Sequence, residues 1–138
     1  MEFIQLFSEL YNKFMDRYVG SESYKDCFSN MSYKEVSYLS EIHIHQGISS
    51  VELARKLSVT KSAVSQIMAK MIKKGYVEKR KSNVDGREYN LYLSEKIEKI
   101  YEKNDDALNL IFDESLSSIS IDEKKMLCAL LIKINENL

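Results

Sequence analysis

At Gly75 the apolar period of the chain changes, and that change restricts the fold more than any other feature of the sequence. Before it, Val64, Ile67, Met68 and Met71 recur at intervals of three and four, the stripe of one helix face. After it, residues 76–81 and 88–93 alternate as two short strands, with Asp85-Gly86 between them as a hairpin turn. Upstream, Ser49-Ser50-Val51-Glu52 has capping-box spacing and opens a short helix on Leu53, Ala54 and Leu57. Only Ser58-Val59 separates that helix from Thr60, which can cap the next. Two helices joined by so short a turn and followed by a hairpin form a winged helix-turn-helix, whose second helix is shaped to enter a major groove.

The flanks are helical. Phe3, Ile4, Phe7, Leu10, Tyr11, Phe14 and Tyr18 mark the face of a first helix that ends near Gly20, and the polar residues 20–31 are expected as a loop. The Ser32-Tyr33-Lys34-Glu35 box starts a second helix that runs towards Gly47 on Val36, Leu39 and Ile42. After the hairpin, Ile97, Ile100, Tyr101, Leu108, Ile111 and Phe112 predict a long helix from Ser94 to about Ser115. Ser120-Ile121-Asp122-Glu123 then caps a last helix carrying Met126, Leu127, Leu130, Leu131 and Ile134. The expectation is a mainly α chain with a small β-wing, in the order α-α-α-α-β-β-α-α. It divides into a winged lobe over residues 32–93 and a helical region made of residues 1–20 and 94–138.

Charge follows the same division. Residues 47–93 carry ten basic and four acidic side chains, a net +6, and the rest of the chain carries ten basic and seventeen acidic, a net −7. A basic middle between acidic ends points to a local polyanion-binding face. No apolar run approaches the roughly 20 residues that span a bilayer, and the N-terminus lacks the pattern of a signal peptide, so a cytoplasmic location is expected. Cys27 and Cys128 lie too far apart for a metal-site pair and are expected as reduced thiols, Cys128 in the core.

With the apolar stripe of residues 64–71 turned inward, Ser62, Ser65, Gln66, Ala69, Lys70 and Lys73 turn outward. Small side chains allow close approach to base edges, Gln66 can pair with an adenine, and Lys61, Lys70 or Lys73 can reach phosphates or guanine. Arg87 at the hairpin tip suits a narrow minor groove, with Asp85 two residues before it to fix its direction, and Lys79, Arg80 and Lys81 add phosphate neutralisation. The plainer reading of the same residues is a solvated helix face and an Asp-Gly turn with a surface ion pair.

The segment Asp85-Gly86-Arg87-Glu88-Tyr89-Asn90-Leu91-Tyr92-Leu93-Ser94 resembles the wing motif of MarR-type transcriptional regulators, Asp-x-Arg-x-x-x-Leu-x-Leu-Thr, with Ser in the last place. Glu52-Leu53-Ala54 through Leu57, Val64-Ser65 and Lys74-Gly75-Tyr76-Val77 resemble the same family's helix-turn-helix. The resemblance implies a homodimer that binds a pseudo-palindromic double-stranded DNA operator. It places residues around Ser62 to Lys70 at the bases and Arg87 in the minor groove, and with the reading of the helix face and hairpin the candidate DNA-binding residues are Thr60, Lys61, Ser62, Ser65, Gln66, Lys70, Lys73, Lys81, Asp85 and Arg87. It also implies a repressor relieved by a small-molecule effector, in a pocket to which no residue can be assigned.

Members of that family sense phenolic acids, zinc or peroxide. His43 and His45 stand two apart, on different sides of a helix, and the long fifth helix has no His, so no metal site and no cofactor is expected. Cys27 is the candidate redox residue, with Lys25 favouring its thiolate and Asp26 opposing it. Independently of the resemblance, the first and last two helices carry more apolar surface than the winged segment can cover, which favours a two-fold pairing surface. The competing class is a winged-helix protein-interaction module. An enzyme is not expected, because no nucleophile, phosphate loop or carboxylate pair forms a catalytic constellation.

Overall fold

Ser32, Ser49, Thr60 and Ser120 each accept a hydrogen bond from the backbone N–H three residues on, so four helices begin where the sequence offers a capping oxygen. Glu2 and Gln5 form a reciprocal box at a fifth. The computed structural model describes residues 2–82 and 89–138. Its order is α1 (Phe3–Val19), α2 (Glu22–Phe28), α3 (Tyr33–Ile44), β1 (Ile48–Ser49), α4 (Ser50–Lys56), α5 (Lys61–Lys73), β2 (Val77–Lys81), β3 (Tyr89–Leu93), α6 (Glu95–Ser115) and α7 (Ile121–Asn135). This is the expected fold class: mostly helical with a small antiparallel sheet.

Two compact units divide the chain. Residues 22–104 form the winged lobe, whose sheet has the order β1-β3-β2, with Ile48 opposite Leu91 and Val77 opposite Leu93. Alternation along the hairpin buries Val77, Leu91 and Leu93 on one face and leaves Glu78 and Arg80 exposed. Leu39 and Ile42 of α3, Leu53 of α4, and Val64 and Met71 of α5 are completely buried, and Ile97 and Tyr101 of α6 complete the core. α5 stops where Gly75 adopts φ +76, the left-handed position that glycine occupies without strain.

The second unit, residues 1–21 and 105–138, is helical. Phe14 packs against Phe112 at 4.8 Å between ring centroids, and the Arg17 guanidinium donates to the Glu114 carboxylate. Neither α1 nor α7 buries a single residue within the chain. Phe3 is 74% exposed and Leu130 51%, with Phe7, Leu10, Met126, Leu131 and Ile134 also open to solvent. Among the described residues no helix is long and apolar enough to cross a membrane.

Three expectations are corrected. Residues 20–31 hold α2 rather than a continuous loop, because Tyr24 and Phe28 are one turn apart and Phe28 sits edge-on to Tyr101 at 5.6 Å. α3 ends at Ile44 instead of running on towards Gly47, and the chain then supplies a short strand that pairs with β3. Cys128 is exposed, since α7 has no face buried in its own chain. The side chain of Cys27 lies outside the described residues.

Candidate nucleic-acid interface

The turn between α4 and α5 is short because Ser58 takes a positive φ of 53° and Val59 N–H reaches back to the Ala54 carbonyl at 3.0 Å. Thr60 Oγ1 then accepts from Ala63 N–H at 3.1 Å and fixes the first turn of α5. That turn contains no acidic residue and begins with Lys61, so the positive end of the helix dipole is left uncompensated and faces solvent.

Burial of Val64, Met68 and Met71 turns the opposite ridge of α5 outward. Ser62, Gln66 and Lys73 lie along that ridge, and all three are exposed. The three remaining outward residues, Ser65, Ala69 and Lys70, occupy its flanks. Ser65 faces the hairpin, where with Ala69, Ile72 and Lys79 it lines an open cleft of about 370 Å³. Lys70 faces α3, where its Nζ donates to Glu35 Oε1 at 2.8 Å.

Glu35 was not singled out for the site by its sequence; its signal there is only the capping box. Its side chain is 9% exposed, Ser32 N–H donates to Oε2 at 3.4 Å, and Lys74 Nζ stands 3.5 Å from Oε1. The Lys70 hydrogen bond holds the Glu35 carboxyl below the usual carboxylate range, against the opposing effect of burial. The Ser32 amide and the charges of Lys70 and Lys74 act in the same direction as that bond.

The hairpin extends the basic surface on the α5 side. Lys79 Nζ lies 4.0 Å over the Tyr89 ring, and Lys81 is exposed at the end of β2. On the other face, Arg80 stacks 4.1 Å over Tyr92, beside a cavity of about 640 Å³ lined by Glu78, Glu95, Glu98 and Glu102. The hairpin is therefore basic towards α5, whereas towards α6 its Arg80 pairs with its own Glu78 at 3.2 Å. Asp85 and Arg87 fall within residues 83–88, outside the described residues.

Each histidine stands beside a carboxylate. His43 Nδ1 pairs with Glu98 at 2.9 Å and His45 Nε2 is 3.9 Å from Glu41. Among the described residues no group of three His, Cys, Asp or Glu is placed to hold an ion.

Comparison with known proteins agrees with this geometry. An HTH-type transcriptional regulator, BilQ of Clostridium symbiosum, is 32% identical over 90 residues, 65% of this chain. The aligned region spans 62% of the length of that curated relative. The crystal structure of a MepR mutant from a multidrug-resistant S. aureus clinical isolate superposes with a TM-score of 0.74 at 17% identity, covering 99% of this chain and 97% of that one. Streptococcus pneumoniae FabT, solved in complex with DNA, gives a TM-score of 0.69 at 21% identity, covering 96% of this chain and 91% of that one. Residues 29–88, from the turn before α3 to the residue before β3, match the model of the MarR family.

Proposed function

We propose that this chain is a transcriptional regulator that binds double-stranded DNA, a repressor acting in the cytoplasm and relieved by a small effector, and not an enzyme. The observation that carries the reading is the outward ridge of α5, with small polar side chains at its amino-terminal end and Lys73 at its carboxy-terminal end. Gln66 and Ser62 suit base edges, and Ser65 reads from the hairpin side. Thr60, Lys61, Lys73 and Lys81 suit phosphates and Arg87 with Asp85 serves the minor groove, whereas Lys70 is engaged by Glu35 and makes no phosphate contact. The FabT structure with DNA and the name of the C. symbiosum relative support the same reading.

The apolar faces of α1 and α7, unburied within the chain, favour a homodimer whose two lobes read a pseudo-palindromic operator. Relief by an effector follows from the family resemblance. Charge placed in the stripe, as Phe7→Asp, is expected to give a monomer or an aggregate by light scattering, and an intact dimer would remove α1 from the interface.

The decisive experiment is fluorescence-anisotropy titration of duplex from the gene's own upstream region against scrambled duplex at two salt concentrations, with Arg87→Ala alongside. Selective, salt-sensitive binding that Arg87→Ala weakens is expected. Weak binding of both duplexes, unaffected by Arg87→Ala, would instead turn attention to a protein partner for the winged fold.

A further inference from the structure

Glu35 is the one buried carboxylate among the described residues, and both cations it holds come from α5 and its C-terminal cap. Lys70 and Lys74 are one helical turn apart there, so a single carboxylate on the first turn of α3 takes two positive charges from the edge of the proposed DNA-binding face. The position suits an anion, because the start of α3 carries the positive end of its dipole and Ser32 N–H points at Oε2.

We propose that Glu35 is a charge brake on the recognition helix: with Lys74 at 3.5 Å as a second counter-charge, it withholds Lys70 from DNA phosphates and so limits binding that ignores sequence. The inference rests on the DNA-binding reading above. Lys70 itself is 61% exposed, so nothing steric keeps a phosphate from it. What opposes the exchange is Glu35, which would be left buried with a carboxylate short of its counter-charge. Lys73 is on the exposed ridge instead and meets DNA directly, so neighbouring lysines of one helix have different duties.

The test is Glu35→Gln in the full-length chain. Glutamine at this position still accepts from Ser32 N–H, so the capping box survives while the charge is lost. Glu35→Gln is expected to bind cognate and scrambled duplex alike about fivefold more tightly at roughly 0.15 M salt, the gain from one further phosphate contact. The plot of log affinity against log salt should steepen by about 0.9. Lys70→Gln alone should change wild-type affinity by less than about twofold and should cancel the gain in the Glu35→Gln background.

A natively folded Glu35→Gln chain with an unchanged or shallower salt slope would overturn the proposal. So would a Lys70→Gln chain that by itself loses about fivefold, and that variant decides the matter if Glu35→Gln fails to fold. Wild-type chain that binds neither duplex at any salt is the separate failure of the DNA-binding reading, recognisable before any variant is made.

Discussion

His43 Nδ1 lies 2.9 Å from Glu98 Oε1, joining the last turn of α3 to the first turns of α6. The same carboxylate accepts from Gln46 Nε2, and Gln46 Oε1 in turn accepts from Leu93 N–H at 3.2 Å. The His43 ring also packs on Tyr101 at 4.9 Å, and Tyr101 Oη is 3.2 Å from Ser40 Oγ. Polar contacts thus fix the start of α6 to the lobe beside the apolar ones. A double-mutant cycle of His43→Ala and Glu98→Ala, followed by urea unfolding, is expected to show a coupling of about 0.5–1.5 kcal/mol. Strictly additive losses would mean that the pair contributes only its packing.

Two glycines make different demands. Gly47 has φ +86, its N–H donates to the Leu91 carbonyl at 2.9 Å, and an added Cβ would stand 2.9 Å from Tyr92 Oη. Gly75 has φ +76, but an added Cβ would meet nothing within 4 Å. Gly75→Ala should therefore cost the backbone penalty alone, about 1 kcal/mol, and Gly47→Ala should cost about 2–3 kcal/mol. Tyr92→Phe in the Gly47→Ala background should recover part of the loss. Equal losses at the two positions in denaturant unfolding would show that Tyr92 swings aside freely.

Much of this architecture was legible because its signals are local. Ser32, Thr60 and Ser120 announce their helices within four residues, and the switch to alternation after Gly75 announces the hairpin. What the sequence hid depends on partners far along the chain. α2 has only seven residues, and Phe28 docks on Tyr101, a contact no local period reveals. β1 has two residues and exists through its pairing with Leu91 and Asn90. Helical spacing alone turned Lys70 outward, whereas the carboxylate that engages it lies 35 positions upstream. Cys128 sits in an apolar run that reads as core, yet α7 buries no residue in its own chain.

Gln66 and Lys73 share the exposed ridge of α5 but should fail differently. Gln66→Ala removes a group suited to one base and should cost about 1–3 kcal/mol on the cognate duplex, with little effect on scrambled DNA. Lys73→Ala removes a sequence-blind contact, so it should weaken both duplexes alike and make the salt slope shallower by about 0.9. Anisotropy titrations across a salt series separate the two. Equal losses on both duplexes for Gln66→Ala would place that side chain at the backbone.

Acid should unmask the Glu35 cluster. The hydrogen bond from Lys70 holds the folded-state carboxyl below its ordinary value of 4.5, so the unfolded chain takes up the proton first as pH falls. The stability this carboxylate contributes is complete above about pH 4.5 and is lost as pH falls through the depressed folded value. Glu9, paired with Lys13, and Glu123, bonded to Ser120, are depressed as well, so the acid limb of the wild-type chain alone would not isolate Glu35. Subtraction does, because those groups are unchanged in Glu35→Gln. Urea unfolding from neutral pH down to about pH 3 should show the variant less stable at neutral pH, with the difference closing through the acid range. Two curves that run parallel over the whole range would mean that Glu35 carries no more ionisation-linked stability than a surface glutamate.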